Sequence, residues 1–388
     1  MKALPQNNRI SSTLLCHRAS RRRLVRHLSN NSSPRKAIQK QQQKATEEAL
    51  RQQEEEQRRQ AELEKDLQLA RDIQQGMLLA AVPYLPGWEF SAVSLPARDL
   101  GGDLYDFLPL HNGHQAIMIG DVSGKGLQAA LRMAVARTLF RYEARNGHSP
   151  ASTLASINRG VCNDIPQGMV TMLYATLDPL QGVVRISNAG HTYPLLFNST
   201  VQEFELPGLP LGVDPDIDYD EEETIPVAPG DSLFLYTDGV NEATSMAEQE
   251  FGFERLRQVL QTSNHIRPRT LMKRILNELR AWSAGNAQSD DITMVVLRRR
   301  FASLSNELHI VTMDVVGEER AAPLWEEMLP LLAGTPEEAG GEQWSVVLSQ
   351  LSALMKGNFS RGLIRELSQE FRLTIEEYRN PLTQGGFS

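Results

Sequence analysis

Cysteine is nearly absent from this chain: only Cys16 and Cys162 occur in 388 residues. They are far apart and in no metal-like spacing, which excludes a disulfide framework and a thiolate zinc site and points to a reducing compartment. Long apolar runs are missing too. Nothing approaches the roughly 18 to 20 consecutive apolar residues that span a bilayer, so no membrane span is expected and the expected location is cytoplasmic. The first 46 residues contain no acid but eleven Lys or Arg, so the net charge of -8 leaves the remainder at -19. An acidic body argues against general nucleic-acid binding, because affinity for a phosphate backbone depends on clustered cations. Nucleotide-binding signatures are absent as well. Ser123-Gly124-Lys125-Gly126 has the look of a phosphate loop, but only three residues separate Gly120 from Gly124, and Gly126 stands where Ser or Thr should follow the lysine. No GxGxxG opens a helix after a strand.

What is present is enough apolar material, 41% of residues, for a sizeable core with additions. Residues 1–36 are rich in Arg, Ser and Asn and read as a disordered basic tail. The same composition suits an organellar transit peptide, so both readings stay open there. Residues 37–80 carry no Gly or Pro until Gly76 and are dominated by Gln, Glu, Lys, Arg, Ala and Leu, which predicts a long helix. Leu63, Leu67, Leu69-Ala70, Ile73 and Met77 recur near helical spacing, so the second half can form a short coiled coil or a docking helix. A solvated helix held by charge pairs four residues apart is the alternative.

Residues 83–300 form the expected main domain. Helical patterns at 125–144 and 150–161 are followed by consecutive strand-like runs at 169–177, 183–187, 193–197 and 201–204, then by paired helical patterns at 254–260 and 270–282 and a last strand at 292–297. Strands in runs followed by paired helices argue for α+β layers rather than a regular βαβ repeat. In the first of these helices, Leu127, Ala130, Leu131, Ala134, Val135, Thr138 and Leu139 are expected to make the buried stripe. Residues 301–388 read as a C-terminal mixed strand and helix region of unknown role, with Leu308-His309-Ile310-Val311 as a strand and helical patterns after it.

Three aspartates, Asp121, Asp238 and Asp290, each adjoin a short β-like apolar run. Taken singly, each reads as a helix cap or turn residue. If the runs are neighbouring strands, their ends gather carboxylates in one small volume, where like charges raise one another's pKa. A divalent cation removes that penalty, and oxygen ligands without His or Cys favour magnesium or manganese. His191 is the one histidine in a distinctive context, and a lone histidine in a turn is expected to be structural.

The wider pattern is an ordered series. Arg98-Asp99-Leu100-Gly101-Gly102-Asp103-Leu104-Tyr105-Asp106-Phe107 precedes Ile119-Gly120-Asp121-Val122-Ser123-Gly124-Lys125-Gly126. Asn188-Ala189-Gly190-His191, Leu209-Pro210-Leu211-Gly212, Tyr236-Thr237-Asp238-Gly239-Val240, Phe251-Gly252 and Asp290-Asp291-Ile292-Thr293 follow. Over roughly residues 66–300 this resembles the metal-dependent Ser/Thr protein phosphatases of the type 2C superfamily, in the bacterial sporulation-phosphatase and sigma-factor-regulator branch. The stretch 69–79 is similar to the linker helix that in this branch joins a sensor or dimerising module to the phosphatase.

The resemblance implies a central β-sandwich of two antiparallel sheets flanked by helices, preceded by the long N-terminal helix, with two Mn2+ or Mg2+ ions at one end. It further implies that Asp121 bridges both ions, the Val122 carbonyl binds one, Asp238 and Asp290 complete the other, and Asp103 holds metal-bound water. Asp291 is placed beside the ligands or in a turn. Two such ions acidify a bridging water for in-line displacement at phosphorus. Where animal-type members carry a histidine after the first metal aspartate this chain has Ser123, which leaves the general acid unassigned. The implied activity is hydrolysis of phosphoserine or phosphothreonine in a phosphorylated regulatory protein, such as an anti-sigma-factor antagonist, with a homodimer formed through the 37–80 helix. The competing readings are a catalytically silent phosphatase-fold scaffold and a coiled-coil assembly protein.

Overall fold

The computed structural model describes residues 34–78, 82–165, 168–219, 221–263, 266–333 and 341–379. The tail expected over 1–36 lies outside them except for its last three residues, which already belong to the first helix. That helix, α1, runs from Pro34–Leu78. Leu63, Leu69 and Ile73 on it are exposed, while Gln74 is buried. From Leu67 onward the described residues form one compact unit.

Ten strands build two five-stranded sheets. The first contains β1 (Trp88–Leu95), β6 (Leu195–Phe197), β7 (Val201–Glu203), β9 (Ser232–Tyr236) and β10 (Ile292–Arg299), in the order β1-β10-β9-β6-β7. The second contains β2 (Leu104–Pro109), β3 (Gln115–Val122), β4 (Val170–Asp178), β5 (Val183–Ala189) and β8 (Glu223–Pro226), in the order β2-β3-β4-β5-β8. Every pairing is antiparallel.

Side chains alternate across a strand, and in the central strands β3, β4, β9 and β10 both faces are covered, which is why these read as nearly unbroken apolar runs. Ile117 and Ile119 of β3 join Phe107, Leu173, Leu235 and Val295 between the sheets. Met118, between them, faces outward onto α2 (Leu127–Glu143) and α3 (Pro150–Asp164), where Met133, Phe140, Ile157 and Val161 pack. Likewise Val296 and Phe234 face α4 (Gly252–Gln261) and α5 (Pro268–Ser283), meeting Leu256, Leu260, Leu271 and Ile275. Ser149 caps α3 by accepting from the Ser152 amide, with Pro150 in the first turn, where its missing N–H costs nothing.

Two expectations are corrected. In α2 the buried face is Ala129, Ala130, Met133, Ala136 and Phe140, whereas Leu127 and Leu131 are exposed. The sheet accepts the helix on its small residues, which allows close approach, with Phe140 edge-on to Tyr174 at 5.5 Å. Leu308-His309-Ile310-Val311 is not a strand but lies inside helix α6 (Leu304–Val316). Ser303 caps that helix by accepting from the Asn306 amide, and Leu304, Leu308 and Val311 fall on one buried face at spacings of four and three. Three further helices, α7 (Glu318–Ala333), α8 (Gly341–Leu354) and α9 (Arg361–Arg379), complete the region, so the described part of 301–388 is helical throughout, with its own core of Trp344, Leu351, Leu367 and Phe371 among others.

This helical region is bolted to the sandwich by ions. Arg298 of β10 is fully buried and forms a two-pronged pair with Glu307 of α6. Arg267 bridges Glu89 of β1 at 2.7 Å and Glu370 of α9 at 2.6 Å, and Arg300 pairs with Glu377. The Glu89 carboxyl is held below its ordinary pKa: burial pushes it up, but the charges of Arg267, Arg298 and Arg300 together outweigh it. Removing one member of a buried pair strands its partner in a dry interior. Glu307→Ala is therefore expected to lower folding stability by roughly 3 to 5 kcal/mol, read by urea unfolding at neutral pH; a loss under about 1 kcal/mol, the range of an exposed pair, would show that water reaches Arg298.

Candidate metal centre

The antiparallel register brings one end of each sheet together. In the second sheet Leu104 pairs with Gly120, which sets Asp103, just ahead of β2, beside Asp121 at the end of β3. In the first, Met294 pairs with Tyr236, and the Thr237 amide donates to the Thr293 carbonyl at 3.0 Å. Asp238, in a 3-10 turn (Asp238–Val240), thus lies next to Asp290 and Asp291, which lead into β10. Gly239 is what permits the approach: a Cβ there would stand 2.0 Å from the Asp291 carbonyl oxygen. Gly102 does the same between strands, since its Cβ would stand 2.6 Å from the Val122 carbonyl and 3.2 Å from Asp121 Oδ1.

Asp291 ties the two sheets at this end. Its carboxylate accepts from the Ala97 amide at 2.7 Å and the Gly102 amide at 2.6 Å, which fixes the loop that carries Asp103. The Thr237 hydroxyl donates to Asp103 Oδ2 at 2.8 Å and accepts from the Thr293 amide at 2.9 Å, orienting Asp103 from the opposite sheet. On the outer side the buried Gln74 of α1 grips Gly101, donating to its carbonyl at 2.7 Å and accepting from its amide at 3.2 Å, while Arg71 pairs with Asp99. Lys125 Nζ donates to Asp290 Oδ2 at 2.9 Å and to the Ser289 carbonyl at 2.8 Å.

The carboxylates feel one another. Asp121 is raised to about 6, first by burial and then by the charges of Asp238, Asp290 and Asp291. Asp103 is raised well above the ordinary carboxylate range by burial and by Asp121, and Asp238 is raised by burial and by Asp290. Glu242 at the rim is raised by burial and then by Asp238. Among the described residues no three His, Cys, Asp or Glu side chains stand together at ligand spacing. Like charges spread apart, and Lys125 occupies Asp290. The donor chemistry nevertheless suits a hard divalent cation: partly buried carboxylates, the Val122 carbonyl, and no imidazole or thiolate.

The structure thus brings Asp103, Asp121, Val122, Asp238 and Asp290 to one end of the sandwich, with Asp291 gripping backbone amides. His191 supports the cluster from behind, through Thr171, the cross-strand partner of Asp121. It is buried, its Nδ1 bonds the Thr171 hydroxyl at 2.9 Å, and burial lowers it to about 4, so it stays neutral. Sequence reasoning missed Thr237, Lys125 and Gln74 as participants. Thr237 and Lys125 sat inside motifs noted for other residues, and Gln74 gave no apolar signal.

The two-sheet sandwich with carboxylates at one end is the architecture of a PP2C-type phosphatase domain. The SiaA-PP2C domain of Pseudomonas aeruginosa shares the fold at a TM-score of 0.55 and 22% identity, covering 62% of this chain and 98% of that one. The sequence profile described as Stage II sporulation protein E (SpoIIE) matches residues 111–300. Phosphoserine phosphatase RsbU of Bacillus subtilis is 30% identical over 248 residues, 62% of this chain and 72% of that protein. Protein IcfG of Synechocystis sp. is 30% identical over 264 residues, 60% of this chain, and the chain spans only 41% of its length. The chain belongs to the SpoIIE family of PP2C-type phosphatases.

A carboxyl whose pKa is higher folded than unfolded binds more protons when folded, so its stabilising contribution is full below the unfolded value of about 3.9 and is lost as pH rises through the folded one. For Asp121 that window closes near its folded value of about 6. In chelator, Asp121→Asn is therefore expected to melt increasingly above wild type as pH is raised from about 5 to about 7, and Mn2+ to stabilise wild type more at the higher pH. A melting difference that stays flat across this range, measured by calorimetry, would show that the Asp121 charge is not strained.

Proposed function

We propose that this chain is a manganese- or magnesium-dependent phosphoserine/phosphothreonine protein phosphatase acting on a small phosphorylated regulator of the anti-sigma-factor-antagonist kind. One observation carries the reading: aspartates from the ends of both sheets converge, partly buried, at one edge of the sandwich, and raise one another's pKa in a way that a divalent cation would relieve. Asp121, Asp238, Asp290 and the Val122 carbonyl are the groups that would hold the metal. When bound, such ions acidify water and neutralise phosphate oxygens for an in-line displacement.

The remaining residues orient and support. Asp103, held by the Thr237 hydroxyl, would align a water at the centre. Asp291 fixes the Gly101–Asp103 loop by accepting from the Gly102 amide. Lys125, which donates to Asp290, would supply a positive charge beside the centre, suited to a phosphoryl group arriving from solvent. The relatives' names support the substrate class, since RsbU is named a phosphoserine phosphatase. A silent scaffold is disfavoured by the intact aspartates. A cytoplasmic site of action accords with the absence, among the described residues, of any helix long and apolar enough to cross a membrane. We also propose homodimerisation through α1, on the exposed Leu63, Leu69 and Ile73.

The test is hydrolysis of an aryl phosphate and of a phosphoserine peptide with added Mn2+, for wild type, Asp121→Asn and Asp238→Asn. Loss of a group supporting a metal ligand already costs about 10- to 100-fold, so loss of a ligand is expected to cost more than about a hundredfold in kcat/KM. Equal turnover by all three proteins would overturn the assignment.

A further inference from the structure

Beside the carboxylate cluster lies a concave pocket of about 400 Å³. Leu95, Ala243, Leu276, Leu279 and Ile292 give it an apolar lining, to which the exposed Arg280 also contributes. The pocket shares Gly239 and Ser289 with the candidate metal centre: Gly239 packs on the Asp290-Asp291 peptide, and the Ser289 carbonyl is bonded to Lys125. A chain whose phosphorylated residue reached the aspartates would bring its neighbouring side chains to this mouth.

The pocket is built rather than incidental. Its outer wall is the loop leaving α5, which turns sharply because Ala284 takes a left-handed backbone at φ 46° and Gly285 follows at φ 98°. Ala284 and Glu248 are the two non-glycine residues with positive φ among the described residues. A left-handed alanine is unfavourable in isolation and persists only where its surroundings hold it. Here Ala284 ends α5 with its amide donating to the Arg280 carbonyl at 3.1 Å, and two side-chain amides brace the loop that follows. The Asn286 side chain donates to the Ser245 carbonyl at 2.7 Å, clamping this loop to the turn that contains Glu248. The Gln288 side chain donates to the Leu95 carbonyl at 2.7 Å and to the Asp290 carbonyl at 2.7 Å, joining the wall both to the apolar lining and to the aspartate segment. Both amides brace the segment that walls the cavity, whose lining includes the half-buried Leu276.

We infer that this pocket is a specificity subsite that receives an apolar side chain flanking the phosphoserine of the protein substrate. The inference rests on the phosphatase reading of the neighbouring cluster. Three features select this occupant. An apolar lining gains free energy only from apolar surface. The shared backbone at Gly239 and Ser289 limits the occupant to residues next to the phosphorylated one. The exposed Arg280 makes the pocket compatible with the carbonyl oxygens of an extended peptide and with phosphate charge. A small polar metabolite would leave the apolar lining unfilled.

The test uses two fluorescein-labelled peptides of equal length carrying a non-hydrolysable phosphonate in place of phosphoserine, flanked on both sides by leucine in one and by aspartate in the other. Binding to the full chain with Mn2+ is read by fluorescence anisotropy. Wild type is expected to prefer the leucine peptide by about tenfold, the scale of burying one such side chain. Leu276→Asp should collapse that ratio to about one, and Leu276→Met should keep it, with thermal melts confirming that both variants are folded. Equal affinity of wild type for the two peptides, or a loss in Leu276→Asp that falls equally on both, would overturn the subsite. Turnover of an aryl phosphate by wild type is measured in parallel and reports on the phosphatase reading alone: a leucine preference without turnover leaves the subsite standing and removes the hydrolytic function.

Discussion

The Asp291 carboxylate is the hinge pin of this molecule. By accepting the amides of Ala97 and Gly102 it fastens the loop ahead of the second sheet to the strand that opens β10 in the first. Two antiparallel sheets can slide over an apolar interface at little cost, because dispersion and burial are not directional. Charge-assisted hydrogen bonds are directional. The relative placement of Asp103 and Asp121 on one sheet and Asp238 and Asp290 on the other therefore depends on a carboxylate that need not touch a metal at all. Thr237 repeats the device in reverse, reaching from the first sheet to orient Asp103 of the second.

Order at this end is achieved against electrostatics. The folded state gathers negative charge that the unfolded chain keeps apart, and it compensates elsewhere. The apolar layers on both faces of each sheet supply the driving force, and the buried Arg298–Glu307 pair with the Arg267 bridges fixes how the C-terminal helices seat. Repulsion is concentrated where chemistry is proposed, and attraction where nothing needs to move.

Much of this was legible in the residues. The apolar runs ending in Asp121 and Asp238 and the run beginning after Asp290 are strand ends in fact, since register converts a run's end into a place at one edge of the sandwich. The helix starting at Ser149-Pro150 carried its own cap. What escaped notice was decided by partners distant in sequence. Leu308 to Val311 has the composition of a strand, and only the cap at Ser303 and the faces of α7 to α9 make it helical. In α2 the larger Leu127 and Leu131 lost the buried side to alanines, because room against the sheet, not hydrophobicity, set the outcome. Gln74 is polar and carries no periodic signal, yet it is the residue of α1 that reaches Gly101. Gln288 is equally silent until Leu95, 193 positions earlier in the chain, lies beside it.

Strand β10 has two ends with different duties. Its first residues follow the aspartates, and its last ones, Arg298 and Arg299, enter the ionic seat of the C-terminal helices or flank it. A boundary drawn by motif would cut the chain just after this strand, at the point where the phosphatase signature stops. A boundary drawn by solvation cannot fall there, because the buried Arg298 guanidinium would lose its two-pronged partner Glu307 and keep only Glu89, at 3.7 Å. The evolutionary module and the folding module are consequently different lengths of the same polypeptide, and whatever the C-terminal helices do for the cell, their presence is already written into the dielectric surroundings of one arginine.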